Sequence, residues 1–121
     1  MLNYRLIENT HHPYVECLPD GGHIEREADA LDLVGACGEH RAHRLMLHAE
    51  NLTGDFYNLK TGLAGKVLLK FSNYQIKTAF VLKPGAINDR FDEMAQEANR
   101  CNRELHFFEE RAAAEAWLVA D

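Results

Sequence analysis

The chain has 121 residues, 46% of them hydrophobic, enough for one core that removes about two-thirds of the unfolded surface from water and too few for two. Lys and Arg number 13 against 19 Asp and Glu, for a formal net charge of -6, and the basic residues stand singly among acidic ones, which excludes a general nucleic-acid-binding patch. No apolar run reaches the roughly 18 residues of a membrane span, and MLNYRLIENT lacks the basic-then-apolar layout of a leader, so a cytosolic protein without a membrane span is expected.

Residues 4–8 and 14–18 are short aromatic and β-branched runs on either side of the polar segment NTHHP, a pattern that predicts a hairpin closed by PDGG at 19–22. From Arg26 the spacing becomes helical, with Ala28, Leu31 and Val34 on one stripe and Gly38 as the expected end. Residues 44–48 read as a third strand, and the unbroken Leu45-Met46-Leu47 predicts cover on both faces.

A polar connection follows. Leu63, Ala64, Val67, Leu68 and Phe71 then define a second helix that starts at about Thr61 and ends near Ser72 and Asn73. Residues 75–82 form a fourth strand, stopped by Pro84 and Gly85. Asn88 or Asp89 is the expected cap of a third helix that turns Ile87, Phe91, Met94, Ala95 and Ala98 inward. Residues 105–108 form the last strand, and RAAAEAWLVA the last helix, docked by Trp117 and Leu118. The order β-β-α-β-α-β-α-β-α implies a single-domain α/β sandwich of two or three layers. Its mixed sheet, mostly parallel, would have about five strands, an antiparallel edge and about four helices.

Cys17, Cys37 and Cys101 are odd in number, widely spaced and without a CxxC pair, and they read as reduced thiols buried as small hydrophobes. Seven histidines raise the question of a metal, with His40, His43 and His48 or the pair His11-His12 as candidates. Their loop and turn positions lack ligand spacing, so no metal and no cofactor is expected.

The connection holds the chemistry-bearing residues, because in parallel sheets ligands favour the carboxyl ends of strands. Thr61 can cap the second helix with its hydroxyl, and Gly62 permits close approach of backbone or ligand. A helix start also tolerates an anion, so a phosphate on Thr61 would be accommodated there, with Lys60 as a neighbouring cation. His48, Glu50 and Asp55 could alternatively carry acid-base chemistry, the carboxylates orienting the imidazole, although no nucleophile stands at diagnostic spacing. Asn51 and Asp55 can equally bond the backbone of the turn.

The segments DALDLVGACG (29–38), RLMLHAENLTGDFYNLKTGLAGKVLLKFSNYQIKTAFVL (44–82), EAN (97–99) and EAWL (115–118) resemble the bacterial domain of unknown function 4180 family. Departures fall at Arg26-Glu27, where a capping hydroxyl is expected, and at KPGAIN (83–88). More distantly the chain is similar to the STAS domain of anti-anti-sigma factors, in which a kinase phosphorylates a serine at the start of the helix after the third strand. That resemblance implies STAS-like topology and places Thr61 at the modified position. Lys60 stands where the pattern has a small hydroxyl residue, and Leu59 where it has an acid.

These readings converge on a non-enzymatic regulatory module. It would bind a protein partner or small ligand between Glu50 and Gly65, through Glu50, Asn51, Asp55, Lys60, Thr61 and Gly62. One alternative is a small hydrolase- or lyase-like enzyme using His48, Glu50 and Asp55. Another is a carrier of an apolar or lipid-like ligand in a groove between the second and third helices near Phe71, Phe80 and Phe91, which otherwise are core. A homo-oligomer through an edge strand or the last helix is a further expectation.

Overall fold

The computed structural model describes residues 2–82 and 87–120. Five strands form one sheet in sequential order, β1 (Tyr4–Ile7), β2 (Tyr14–Cys17), β3 (Arg44–His48), β4 (Lys77–Val81) and β5 (Leu105–Phe108). β1 is antiparallel to β2, and the remaining pairs are parallel. Helices α1 (Glu27–Glu39), α3 (Leu63–Asn73) and α4 (Asp89–Cys101) cross between parallel strands, while α2 (Gly54–Tyr57) is a single turn and α5 (Arg111–Leu118) closes the chain. The expected architecture is present, and α2 is the fifth helix among the described residues. The stop expected at Pro84 and Gly85 lies outside those residues.

Because successive strand residues face opposite sides of a sheet, the two faces have different occupants. Val15, Leu45, Leu47, Phe80 and Phe107 join the inward residues of α1, α2, α3 and α4 in the main core. Phe80 and Phe107 stack there at 4.8 Å, with Phe56 tilted against Phe80 and Phe91 edge-on to Phe107. Tyr14, Met46 and Ala79 point the other way and pack with Ala114 and Leu118 of α5, with Ile7, Val81, Phe108, Trp117 and Val119 at the margin. The sheet is thus covered by a thick layer on one side and by one eight-residue helix on the other.

Several local expectations need correction. In α1 the buried residues are Ala30, Leu33, Ala36 and Cys37, whereas Ala28 is exposed and Leu31 is 40% exposed. The inward stripe is therefore rotated from the Ala28-Leu31-Val34 phase. Gly38 does not end α1; the helix continues to Glu39, and the left-handed residue after it is Arg41, φ 53°. No hydroxyl is needed at the start of α1, since the Asp29 carboxylate accepts from the Glu25 and Arg26 N–H groups at 2.9 and 3.0 Å. Cys17 and Cys37 are buried, but Cys101 is exposed at the end of α4.

Among the described residues no helix is long and apolar enough to cross a membrane.

Candidate functional site

The connection after β3 winds over the carboxyl end of the sheet as three short turns: a 3-10 turn at Ala49–Asn51, α2, and a 3-10 turn at Leu59–Thr61. Its polar side chains are largely spent on its own backbone. Asn51, fully buried, donates to the carbonyls of Leu18 and Gly22 at 2.8 and 3.0 Å and accepts from the His48 N–H at 2.9 Å. That clamp ties the connection to the turn after β2, where Gly21 is required because a Cβ would lie 2.6 Å from the Asn3 carbonyl oxygen. Thr53 accepts from the Phe56 N–H and caps α2, and Asn58 accepts from the Lys60 N–H.

Thr61 fits its capping role: its Oγ donates to the Asp55 carbonyl at 2.6 Å and accepts from the Leu63 N–H at 3.2 Å. Gly62 is held at φ +81°, a conformation glycine adopts without strain, and a Cβ there would meet nothing within 4 Å. Backbone angle, and not close approach, accounts for this glycine. Inward, Leu52 and Phe56 anchor the connection in the core; outward, Glu50, Asp55, Lys60 and Thr61 are exposed.

His48 does not join Glu50 and Asp55. Its imidazole is 7% exposed and its Nε2 lies 2.7 Å from Oε2 of Glu16, a residue of β2 that is itself 2% exposed. Arg111, the first residue of α5, grips the same carboxylate with both arms of its guanidinium, Nε to Oε2 at 2.9 Å and Nη2 to Oε1 at 2.8 Å. Arg5, directly across the antiparallel pair, adds an Nη2–Oε1 contact at 3.2 Å. Arg111 Nη2 also donates to the Tyr14 hydroxyl at 2.9 Å, and that hydroxyl donates to Glu115 one turn further along α5.

Burial pushes the Glu16 carboxyl upward, but hydrogen bonds from Arg111 and His48, the Arg111 charge and the Arg5 hydrogen bond outweigh it and bring it down to about 2. Burial, then the bond to Glu115, raises the Tyr14 phenol. A carboxylate so encircled is permanently ionised at neutral pH, and it orients the imidazole beneath α5. Glu16 and His48 are buried at the centre of the cluster, which joins β1, β2, β3 and α5, while the side chains of Arg5, Arg111 and Glu115 are partly exposed at its edge.

Glu16, Arg111, Tyr14, Arg5 and Glu115 are absent from the sequence-based set of candidates. The available signal was Glu16 itself, a carboxylate inside the run YVEC, on the same side of β2 as Tyr14.

The other candidates separate. His40 packs edge-on against Tyr4 with ring centroids 5.9 Å apart, and His11 and His12 pack against each other at 4.4 Å. Among the described residues no three His, Cys, Asp or Glu side chains converge as a metal site would require. Phe80 and Phe91 are fully buried core residues. Between α3 and α4, however, a pocket of about 580 Å³ is lined by Phe71 together with Leu68, Ile76, Met94, Ala98 and Leu105.

No curated protein matches the chain. Residues 9–118 match the model of the family described as Domain of unknown function (DUF4180), and the chain belongs to that family.

Proposed function

We propose that this member of the domain of unknown function 4180 family is a non-enzymatic binding module whose contact surface is the 50–65 connection. One observation carries the reading: the backbone of the connection is hydrogen-bonded by uncharged side chains, without help from the charged ones. Asn51, Thr53, Asn58 and Thr61 fix its backbone, while Glu50, Asp55 and Lys60 are exposed and have no ion-pair partner among the described residues. A surface held in one conformation before binding loses little entropy on binding, which is the condition for specific recognition by a loop. The mixture of carboxylates, an ammonium, a hydroxyl and backbone groups suits a polar partner surface of a protein. An acid-base enzyme is less well supported, because the one buried imidazole faces Glu16 beneath α5 and neither Glu50 nor Asp55 bonds to it.

The order of elements supports a STAS-like reading, in which addition of a phosphate at Thr61 would regulate the contact. The Thr61 Oγ would have to give up its bond to the Asp55 carbonyl to be modified.

The test is affinity purification from the native host with the wild-type chain and with a variant carrying Glu50→Lys, Asp55→Lys and Lys60→Glu. A partner captured by the first and lost by the second supports the reading, provided the variant melts within the ~0.5 kcal/mol expected of surface changes. Equal capture by both, or capture by neither, overturns it. Thr61→Asp that leaves the capture intact would remove the regulatory part alone.

A further inference from the structure

We propose that the pocket between α3 and α4 is a binding site for a compact, uncharged, mainly apolar small molecule. It lies apart from the 50–65 surface and stands or falls independently of it.

The pocket arises from how the helices pair. α3 packs against α1, and α4 lies on β5, so the two helices that border the pocket do not fill the space between them. Small side chains face that space from both sides, Ser72 at the end of α3 and Ala98 on α4. Leu68 and Phe71 form one wall, Met94 and Ala98 the second, and the segment leading into β5, with Leu105, the third. A volume of about 580 Å³ lies within the roughly 300–1,000 Å³ range of small-molecule sites, which are lined mainly by apolar side chains with a few polar groups at the edge. Three walls favour a compact occupant over a helix, which needs a groove open along its length.

The edge decides the charge of the ligand. Glu97 is already paired with Arg100 and accepts from the Cys101 thiol at 3.3 Å. Arg103 and Glu104 then stand next to each other as one cation and one anion. With Glu97 paired to Arg100, the formal charges left at the edge are one cation and one anion, so neither an anionic nor a cationic ligand is favoured and the complementary ligand carries no net charge.

Cys101 lines the same pocket and supplies the readout. It is exposed, whereas Cys17 and Cys37 are buried and burial pushes both thiols up to about 12, so a thiol reagent reacts at Cys101 in the native protein. The experiment measures the rate of bromobimane labelling at Cys101 with and without the uncharged dye phenylnaphthylamine.

The dye should brighten on binding and, at about ten times its Kd, slow labelling about tenfold, in proportion to the free fraction. Ala98→Phe fills the pocket and should abolish both effects; Leu68→Gln, which makes one wall polar, should weaken both about tenfold and serves if the first variant does not fold. Arg103→Ala should change dye affinity less than about twofold.

Absence of dye binding, binding without protection of Cys101, or persistence of both effects in Ala98→Phe or Leu68→Gln would overturn the site. A large loss of dye affinity in Arg103→Ala would overturn the uncharged class. Protection that grows with protein concentration in the absence of dye would show a second copy of the chain in the pocket and would likewise overturn the proposal.

Discussion

Arg111 and Glu16, 95 residues apart in the chain, meet through two parallel hydrogen bonds of 2.8 and 2.9 Å. The carboxylate is buried on β2 and the guanidinium begins α5, so the pair fixes the one helix that covers the second face of the sheet, among the described residues, to one of its parallel strands. The other end of α5 is held as firmly. Arg44 Nε donates to the Leu118 carbonyl at 2.7 Å and Lys77 Nζ to the Trp117 carbonyl at 2.8 Å, two cations from β3 and β4 set against the negative end of the helix.

Glu16 is buried but the Arg111 side chain is 39% exposed, so loss of Arg111 leaves a desolvated carboxylate that water partly reaches, at a cost of about 1–3 kcal/mol, below that of a fully buried pair. Arg111→Met should therefore destabilise the protein by an amount near the lower end of that range, because His48 and Arg5 still contact Glu16. Arg111→Lys, with a point charge in place of the planar fork, should fall between wild type and Arg111→Met. Urea unfolding monitored by circular dichroism measures both, and a loss under ~0.5 kcal/mol in Arg111→Met would refute the anchoring role.

The acid dependence follows from the same carboxylate. Its folded value of about 2 lies below the ordinary 4.5, so the unfolded chain binds the proton first. The stabilisation is complete above pH 4.5 and is lost as pH falls from 4.5 toward 2; at 1.36 kcal/mol per unit it amounts to about 3 kcal/mol. Wild type should show a steep decline in stability over that window, and Glu16→Gln, less stable at pH 7, should show a shallower one. Parallel curves for the two proteins would place the acid sensitivity elsewhere.

The start of α3 gives separable effects. Thr61→Val removes the hydroxyl that bonds the Asp55 carbonyl and the Leu63 N–H and should cost about 1 kcal/mol, as other threonine caps do. Gly62→Ala meets no steric obstacle but must adopt φ +81°, which costs about 1–2 kcal/mol. Thermal melts of the two single variants and the double variant should show partial coupling, since both act on one turn.

The basic residues under the far end of α5 should control its local opening. Arg44→Ala with Lys77→Ala removes the hydrogen bonds to the carbonyls of Leu118 and Trp117. Amide hydrogen exchange in α5 should accelerate by about tenfold or more, while exchange in α3, on the opposite face, should stay within about twofold. Uniform acceleration across both helices would mean that α5 does not open on its own.

Much of the architecture was legible in the chain because its signals are redundant. The switch from two-residue to helical spacing, the apolar run Leu45-Met46-Leu47 and the Asn88 cap, whose Oδ1 accepts from the Phe91 N–H at 2.8 Å, all agree with one fold. The phase of α1 is not legible because its sequence offers two apolar stripes, and packing against α3 and β2 selects Ala30, Leu33 and Cys37 over Leu31.

The charge cluster could not be read for a different reason. Glu16, His48 and Arg111 share no local spacing, and their meeting depends on strand register and on which face of the sheet receives the last helix. Asn51 shows the converse: its polarity marked it as a contact residue, yet its amide donates to Leu18 and Gly22 and its carbonyl accepts from His48.

The pairing of Glu16 with Arg111 also sets an order of events during synthesis. β2 leaves the ribosome early, and its carboxylate waits for a partner that is translated 95 residues later. Until α5 arrives, the nascent sheet has Tyr14, Met46 and Ala79 uncovered on one side and Glu16 without its main counter-ion. Closure of that face is therefore a late, long-range step, and a chain in which α5 has not yet docked displays that apolar surface to chaperones.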